Sequence, residues 1–140
     1  TGIDAADLIM DTFYEKSYAR MQIFGRALVE SFLFMEGKCI AYIRKRDMDF
    51  YGVKPKDLDG IVSQLRNTRG VEVAIFMYEL DQNVFKVSLR SGNEVDVSKI
   101  AGYFGGGGHE KASGVTMTGT PQDILNNLAE RIDEQLKGQA

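Results

Sequence analysis

Val71-Glu72-Val73-Ala74-Ile75-Phe76-Met77-Tyr78-Glu79-Leu80 is the most hydrophobic strand-like stretch of the chain. Side chains alternate along a strand, so Val71, Val73, Ile75 and Met77 point one way and Ala74, Phe76, Tyr78 and Leu80 the other. Apolar residues on both sides predict a central strand covered on both faces. Asp81-Gln82-Asn83 then turns the chain into residues 84–91. There Phe85, Val87 and Leu89 alternate with Lys86, Ser88 and Arg90, which predicts one buried and one polar face.

Working outward, residues 31–35 and 39–45 flank Glu36-Gly37-Lys38, a turn of the right composition for a hairpin. Residues 47–55 read as irregular. Residues 57–68 read as a helix with Leu58, Ile61, Val62 and Leu65 on one face and Gly70 just past its end. Asp4 is an N-cap for a first helix carrying Leu8, Ile9 and Phe13. A second helix from about Ser17 carries Met21, Phe24, Leu28 and Phe32, interrupted by Gly25. The first helix has an apolar stripe with no partner nearby and reads as a connector from a preceding domain. On the C-terminal side come a short helix over 98–103, a glycine run, a strand over 113–118 and a final helix. Thr120 caps that helix, Pro121 opens it, and Ile124, Leu128, Ile132 and Leu136 form its stripe. The expected fold is α/β: a mixed sheet of about five strands flanked by helices over residues 31–140, preceded by a helical connector over 1–30.

The chain has 140 residues, 44% hydrophobic and 26% charged, which suits one compact domain. No apolar run reaches the ~20 residues that cross a bilayer. A single cysteine, Cys39, excludes an internal disulfide and a thiolate cluster, and a reducing cytoplasm is the expected setting. The net charge of −3 and pI of about 5.2 argue against a long nucleic-acid track. A nucleotide ligand is therefore expected to be short and held at a few points. The start at Thr1-Gly2, without an initiator methionine, raises the expectation of a piece of a longer chain.

Phe104-Gly105-Gly106-Gly107-Gly108-His109 carries the functional signal. Consecutive glycines cost roughly 0.5–1 kcal/mol each relative to alanine in regular structure. What they offer is positive φ and bare N–H groups that can turn inward as an anion nest. A helix starting near His109 would add its dipole. His109 can donate to a phosphoryl oxygen, and a histidine's unperturbed pKa near 6.5 lets a phosphate make it cationic. The competing reading is a flexible loop with an incidental histidine. Neither G-x-G-x-x-G nor the P-loop pattern fits, because Glu110 and Lys111 stand where glycine is required and no Gly-Lys-Ser/Thr follows.

Gly106-Gly107-Gly108-His109-Glu110-Lys111-Ala112-Ser113-Gly114 resembles the glycine-histidine signature of the DHHA1 domain, the C-terminal half of many DHH-family phosphoesterases. Gly60-Ile61-Val62-Ser63-Gln64-Leu65-Arg66, the stretch 70–76, Val87-Ser88-Leu89-Arg90-Ser91 and the stretch 95–101 occur in that family's order. The resemblance runs from about residue 36 to the end and is greatest to small RecJ-like enzymes that degrade short oligoribonucleotides and dephosphorylate 3′-phosphoadenosine 5′-phosphate. It implies a missing N-terminal DHH domain that holds a manganese pair, while this half holds substrate. With one histidine and no Asp-His-His, the chain is expected to bind no metal, to contain no catalytic residue, and to be inactive alone. The implied phosphate ligands are Arg90, Ser91, Gly105, Gly106, Gly107, Gly108 and His109.

Arg90 suits a bidentate clamp on phosphate, against the commoner fate of a solvated strand-end arginine. Ser88 shares its face. Tyr103 and Phe104 could stack on a base, though one of them at least is expected to anchor the loop in the core. Asp47, Asp49, Asp57 and Asp59 fit no EF-hand spacing and read as solvated carboxylates. Cys39 reads as a small core residue, and Arg66 and Arg69 as helix-end cations. The expected partners are a short oligonucleotide or nucleotide phosphate and the DHH domain, with no membrane; the oligomeric state stays open, a homodimer included. The alternative function is the tRNA-recognition module that carries the same signature in alanyl-tRNA synthetases.

Overall fold

The computed structural model describes residues 5–34 and 37–138, with side chains from residue 18 onward. Six strands form one mixed sheet in the order β1-β2-β3-β4-β6-β5. They are β1 (Phe32–Leu33), β2 (Lys38–Ile43), β3 (Val73–Asp81), β4 (Val84–Ser91), β5 (Gly107–His109) and β6 (Ala112–Thr118). Only β2 and β3 run parallel; the other pairs are antiparallel. The helices are α1 (Ala5–Glu30), α2 (Lys45–Tyr51), α3 (Ile61–Arg66), α4 (Val97–Tyr103) and α5 (Pro121–Gly138), with a 3-10 turn over Pro55–Leu58.

The sheet has two apolar faces. On one, Val73, Ile75 and Met77 of β3, Phe85, Val87 and Leu89 of β4, and Val115 and Met117 of β6 pack against α4 and α5. On the other, Cys39, Ala41 and Ile43 of β2 and Ala74 and Phe76 of β3 pack against α1, α2, the 3-10 turn and α3. The two-faced character of β3 follows from its unbroken apolar run. One detail differs: Val71 precedes the strand and joins the cluster opposite to Val73. β4 matches its alternation, with Phe85, Val87 and Leu89 fully buried on one side only.

Several expected boundaries move. The two N-terminal helices are one continuous α1, and Phe32 lies in β1. The stripe in its second half also turns, since Ile23 and Ala27 are buried while Met21 and Leu28 are exposed. Alanine carries little hydrophobic weight, so the Ile23–Ala27 edge is faint in the sequence. Asp4 lies outside the described residues. Residues 45–51 are helical rather than irregular, ended by Gly52 at φ 68°. The helix expected over 57–68 is broken at Asp59-Gly60, where Gly60 adopts φ 99°. The expected hairpin forms, with Phe32 opposite Ile40 and Leu33 opposite Cys39. In α5, Thr120 Oγ1 accepts from the Asp123 N–H at 3.1 Å, and Ile124, Leu128 and Ile132 are wholly buried.

The sixth strand is the glycine run itself. Gly105 and Gly106 donate back to the carbonyls of Gly102 and Ala101 and so close α4. Gly107–His109 then pairs with β6 across a two-residue turn at Glu110-Lys111. No helix starts at His109. The expected nest ahead of a helix is replaced by an edge strand, because the first N–H groups of the run are already spent on the helix end.

Candidate functional site: the open face of β4, β6 and β5

Beyond β3 the second face of the sheet loses its helical cover. Directly opposed residues of an antiparallel ladder project to the same side, so the register lays out that surface. One row runs Ala74, Arg90, Ala112, His109; the next runs Phe76, Ser88, Gly114, Gly107; the third runs Tyr78, Lys86, Thr116. Arg90 and His109 thus share a face with one strand between them, about 10 Å apart at the backbone. Both side chains are long enough to converge on one anion above Ala112.

The glycines divide by task. A Cβ on Gly106 would meet the Gly114 carbonyl oxygen at 2.3 Å and Val115 Cβ at 2.5 Å, and one on Gly108 would meet the Ala112 oxygen at 2.6 Å. These two let β5 lie against β6. Gly105 needs its φ of 91°. Gly107 meets nothing within 4 Å and has no positive φ, so the fold does not require it. With Gly114 it leaves a bare backbone floor beside the Arg90–His109 row.

The tip of the β5–β6 hairpin is fastened from behind. Ser91 Oγ donates to the Glu110 carbonyl at 3.2 Å, the Ser91 N–H to the Lys111 carbonyl at 3.0 Å, and the Val97 N–H to the Glu110 carbonyl at 2.8 Å. Ser113 Oγ donates to the Val97 carbonyl at 2.7 Å, and Lys111 Nζ to Asn93 at 3.1 Å. Ser91 is 5% exposed and lies behind the sheet, so it positions the hairpin and does not face the same space as Arg90. Tyr103 also lies on the far side, on α4, with the Arg131 guanidinium 3.9 Å from its ring centroid. Phe104 packs against the main core.

Around this face cations outnumber carboxylates, with Lys56, Lys86 and Arg90 set against Asp59. Among the described residues Arg90 donates to the carbonyl of the preceding Leu89, at 3.2 Å. Among the described residues no carboxylate lies within ion-pair distance of Lys56, Lys86, Arg90 or His109. A cleft of about 350 Å³ opens between the 3-10 turn, the start of α3, and Tyr78, Lys86, Ser88 and Arg90. Burial pushes the Tyr78 hydroxyl up, and the nearby Asp59 carboxylate adds to the effect. A larger depression of about 1010 Å³ lies between the ends of α3 and α5. It contains none of the glycine segment, and its buried Lys38 is already neutralised by Asp133 at 2.8 Å.

Of the four aspartates, Asp47 pairs with Arg26 at 3.0 Å and Asp57 accepts from the Lys54 N–H at 2.9 Å. Among the described residues no three His, Cys, Asp or Glu side chains converge as metal ligands. They do not fit a manganese pair, and no step through a metal follows from them.

The family model of the DHHA1 domain matches residues 36–138. The chain belongs to the DHHA1 family. Among relatives of this DHHA1 chain, the bifunctional oligoribonuclease and PAP phosphatase NrnA of Thermus thermophilus is 35% identical over 82 residues, 58% of this chain and 25% of that protein. Oligoribonuclease NrnB of Bacillus subtilis is 49% identical over 49 residues, 34% of this chain and 12% of NrnB. The DHHA1 chain therefore spans only a quarter or less of these relatives. In fold it resembles an exopolyphosphatase-related protein from Bacteroides fragilis, with TM-score 0.77 and 24% identity over 95% of this chain and 39% of that one. It also resembles the pGpG-specific phosphodiesterase PggH from Vibrio cholerae, with TM-score 0.64 and 10% identity over 87% and 42%.

Proposed function

We propose that this chain is the substrate-holding part of a DHH-family phosphoesterase acting on short oligoribonucleotides or nucleoside bisphosphates. The observation that carries this is the Ala74–Arg90–Ala112–His109 row, which puts Arg90 and His109 on one face beside Gly107 and Gly114, with no carboxylate within ion-pair distance of either among the described residues. A charge-assisted hydrogen bond contributes about 1.5–3 kcal/mol, so two such ligands hold a phosphate at roughly millimolar to tens-of-micromolar strength without a basic stripe. Relatives named as oligoribonucleases and a PAP phosphatase support the substrate class. The metal pair and the attacking water belong, in this proposal, to a DHH domain of the whole protein. No helix of the described residues is long and apolar enough to cross a membrane, and we place the protein in the cytoplasm.

The test is nucleotide binding to this chain, followed by NMR or calorimetry. AMP and a dinucleotide bind weakly; Arg90→Ala and His109→Ala each lower affinity at least tenfold; and manganese with the chain alone yields no hydrolysis. Turnover by the chain alone refutes the division of labour. Tight, strongly salt-dependent binding of intact tRNA instead supports a synthetase-type recognition module.

A further inference from the structure

The depression between the ends of α3 and α5 shares no lining residue with the cleft beside Arg90. Four cations line it, Lys38, Arg66, Arg69 and Lys137, against the carboxylates of Glu72, Glu94 and Asp133. One pair cancels, since Lys38 Nζ lies 2.8 Å from Asp133. Glu72 is engaged by backbone: its Oε1 accepts from the N–H groups of Glu94 at 2.6 Å and Val95 at 3.1 Å. Among the described residues, Arg66, Arg69 and Lys137 have no carboxylate within ion-pair distance.

Two of these three cations need no special explanation. Lys137 lies in the last turn of α5 and Arg69 just past α3, both exposed, where a solvated cation suits the helix dipole. Arg66 differs. Its Nε is shut off from solvent and is the one buried side-chain nitrogen or oxygen without a hydrogen-bond partner among the described residues. A buried donor without an acceptor is destabilising, and such an atom marks either strain or a place where an ion belongs. Gly92 leaves room for this side chain, because a Cβ there would come within 2.8 Å of Arg66 Nη2 and closer still to Glu72 Oε2. The guanidinium and the Glu72 carboxylate approach the same point above bare backbone, yet no ion pair closes between them.

We infer that this depression is a second oxyanion site, fitted to a phosphate group and separate from the Arg90–His109 face. An arginine Nε–H and Nη–H form a planar fork that takes two oxygens of one anion. Arg66 supplies that fork, and Arg69 and Lys137 close on the remaining oxygens from the exposed rim. The anion draws the guanidinium into the depression, gives Nε–H its acceptor, and neutralises three cations that otherwise repel one another. A carboxylate has too few oxygens for all three. The volume of about 1010 Å³ exceeds that of inorganic phosphate, so the group is either the free ion or the phosphate of a small organic ester.

The experiment uses this chain carrying Arg90→Ala and His109→Ala, which removes the first proposed site. Inorganic phosphate is titrated at constant ionic strength and followed by NMR of arginine Nε–H and backbone amides. Phosphate is expected to shift the Nε–H signals of Arg66 and Arg69 and the amides of residues 67–70. Arg69→Ala combined with Lys137→Ala, both on the surface, keeps the Tm and lowers affinity about tenfold. Arg66→Lys keeps the charge, loses the fork, and lowers affinity about threefold or more. Acetate binds about tenfold more weakly than phosphate. Glycerol 3-phosphate separates the two sources: tighter binding than inorganic phosphate assigns an organic ester, equal or weaker binding the free ion. The site is overturned if phosphate moves none of these signals, if chloride at equal ionic strength reproduces the shifts, or if the Arg69→Ala, Lys137→Ala protein keeps its affinity. Each of those results leaves the Arg90–His109 reading standing, since that face is absent from the protein titrated.

Discussion

The four glycines of one run should respond differently to the same methyl group. In Gly106→Ala the new Cβ lies 2.3 Å from the Gly114 oxygen and 2.5 Å from Val115 Cβ, both on the partner strand, so no flexible side chain can yield. The strand must lift off β6. Overpacking of this kind costs about 1–3 kcal/mol, and partial loss of the ladder places the expectation at about 2–3 kcal/mol. For a domain of this size that is a fall in Tm of roughly 6–10 °C. Gly108→Ala, 2.6 Å from the Ala112 oxygen and with φ 148°, belongs with it. Gly105→Ala keeps its space but holds an alanine at φ 91°, a strain of about 1–2 kcal/mol. Gly107→Ala meets nothing and stays within about 0.5 kcal/mol of the parent, yet it lifts a methyl onto the floor where the phosphate is proposed to lie. Thermal melts and AMP titration of the four variants check the series: Gly107→Ala alone should keep its Tm and lose at least tenfold in affinity. A Gly107→Ala protein as unstable as Gly106→Ala, or a Gly106→Ala protein of parental stability, refutes this assignment of tasks.

Asp133→Ala strands Lys38, which is 2% exposed, without its ion-pair partner. The expected loss is about 3 kcal/mol in chemical denaturation, and Lys38→Met in the same background should recover most of it. Thr120→Ala removes the cap of α5 and should cost about 1 kcal/mol by the same assay. Asp96→Asn should cost about 1 kcal/mol at neutral pH, because Ser98 hydrogen bonds, through side chain and backbone, hold the Asp96 carboxyl below the usual range. A lowered carboxyl contributes stability above its unfolded pKa of about 3.9 and loses it as pH falls toward the folded value. The gap between parent and variant should therefore be constant above about pH 5 and close in acid. A gap that widens in acid refutes it.

What could be read ahead of the structure was whatever one element decides for itself. The apolar run of β3, the alternation of β4 and the capped amphipathic α5 state their own environments. The misread segments depend on partners. Gly107–His109 has no strand propensity, and is a strand because glycine at 106 and 108 admits β6 to contact. The break at Asp59-Gly60 makes a cleft wall out of what looked like one helix. Ser91 stands next to Arg90 in sequence, yet strand alternation turns it away, to the hairpin tip. His109 reaches the Arg90 row only through the register of β6. Lys86 was within reach of sequence reasoning, since it shares the polar side of β4 with Ser88 and Arg90. Tyr78 and Asp59 were not, because their meeting depends on the path of the chain between Pro55 and Ile61.

Phosphate binding by an acidic chain, as proposed, is less paradoxical once its carboxylates are traced. Glu79 illustrates the pattern. Desolvation pushes its carboxyl up, but N–H donors from Lys45 and Asn83 and the Arg44 guanidinium outweigh that and leave it lowered. Asp133 neutralises Lys38, Asp47 pairs with Arg26, Asp57 accepts from the Lys54 N–H, and Glu72 accepts from the N–H groups of Glu94 and Val95. These carboxylates are thus taken up internally, on caps and pairs that brace the two covered faces. On the open half of one face, Lys86, Arg90 and His109 have no carboxylate within ion-pair distance among the described residues, and there the local field, rather than the net charge of −3, would decide which ligand approaches. In the proposed site a few isolated cations over a bare backbone would hold one or two phosphates and give no continuous track, so the same architecture that would permit binding would also limit the ligand to a short one.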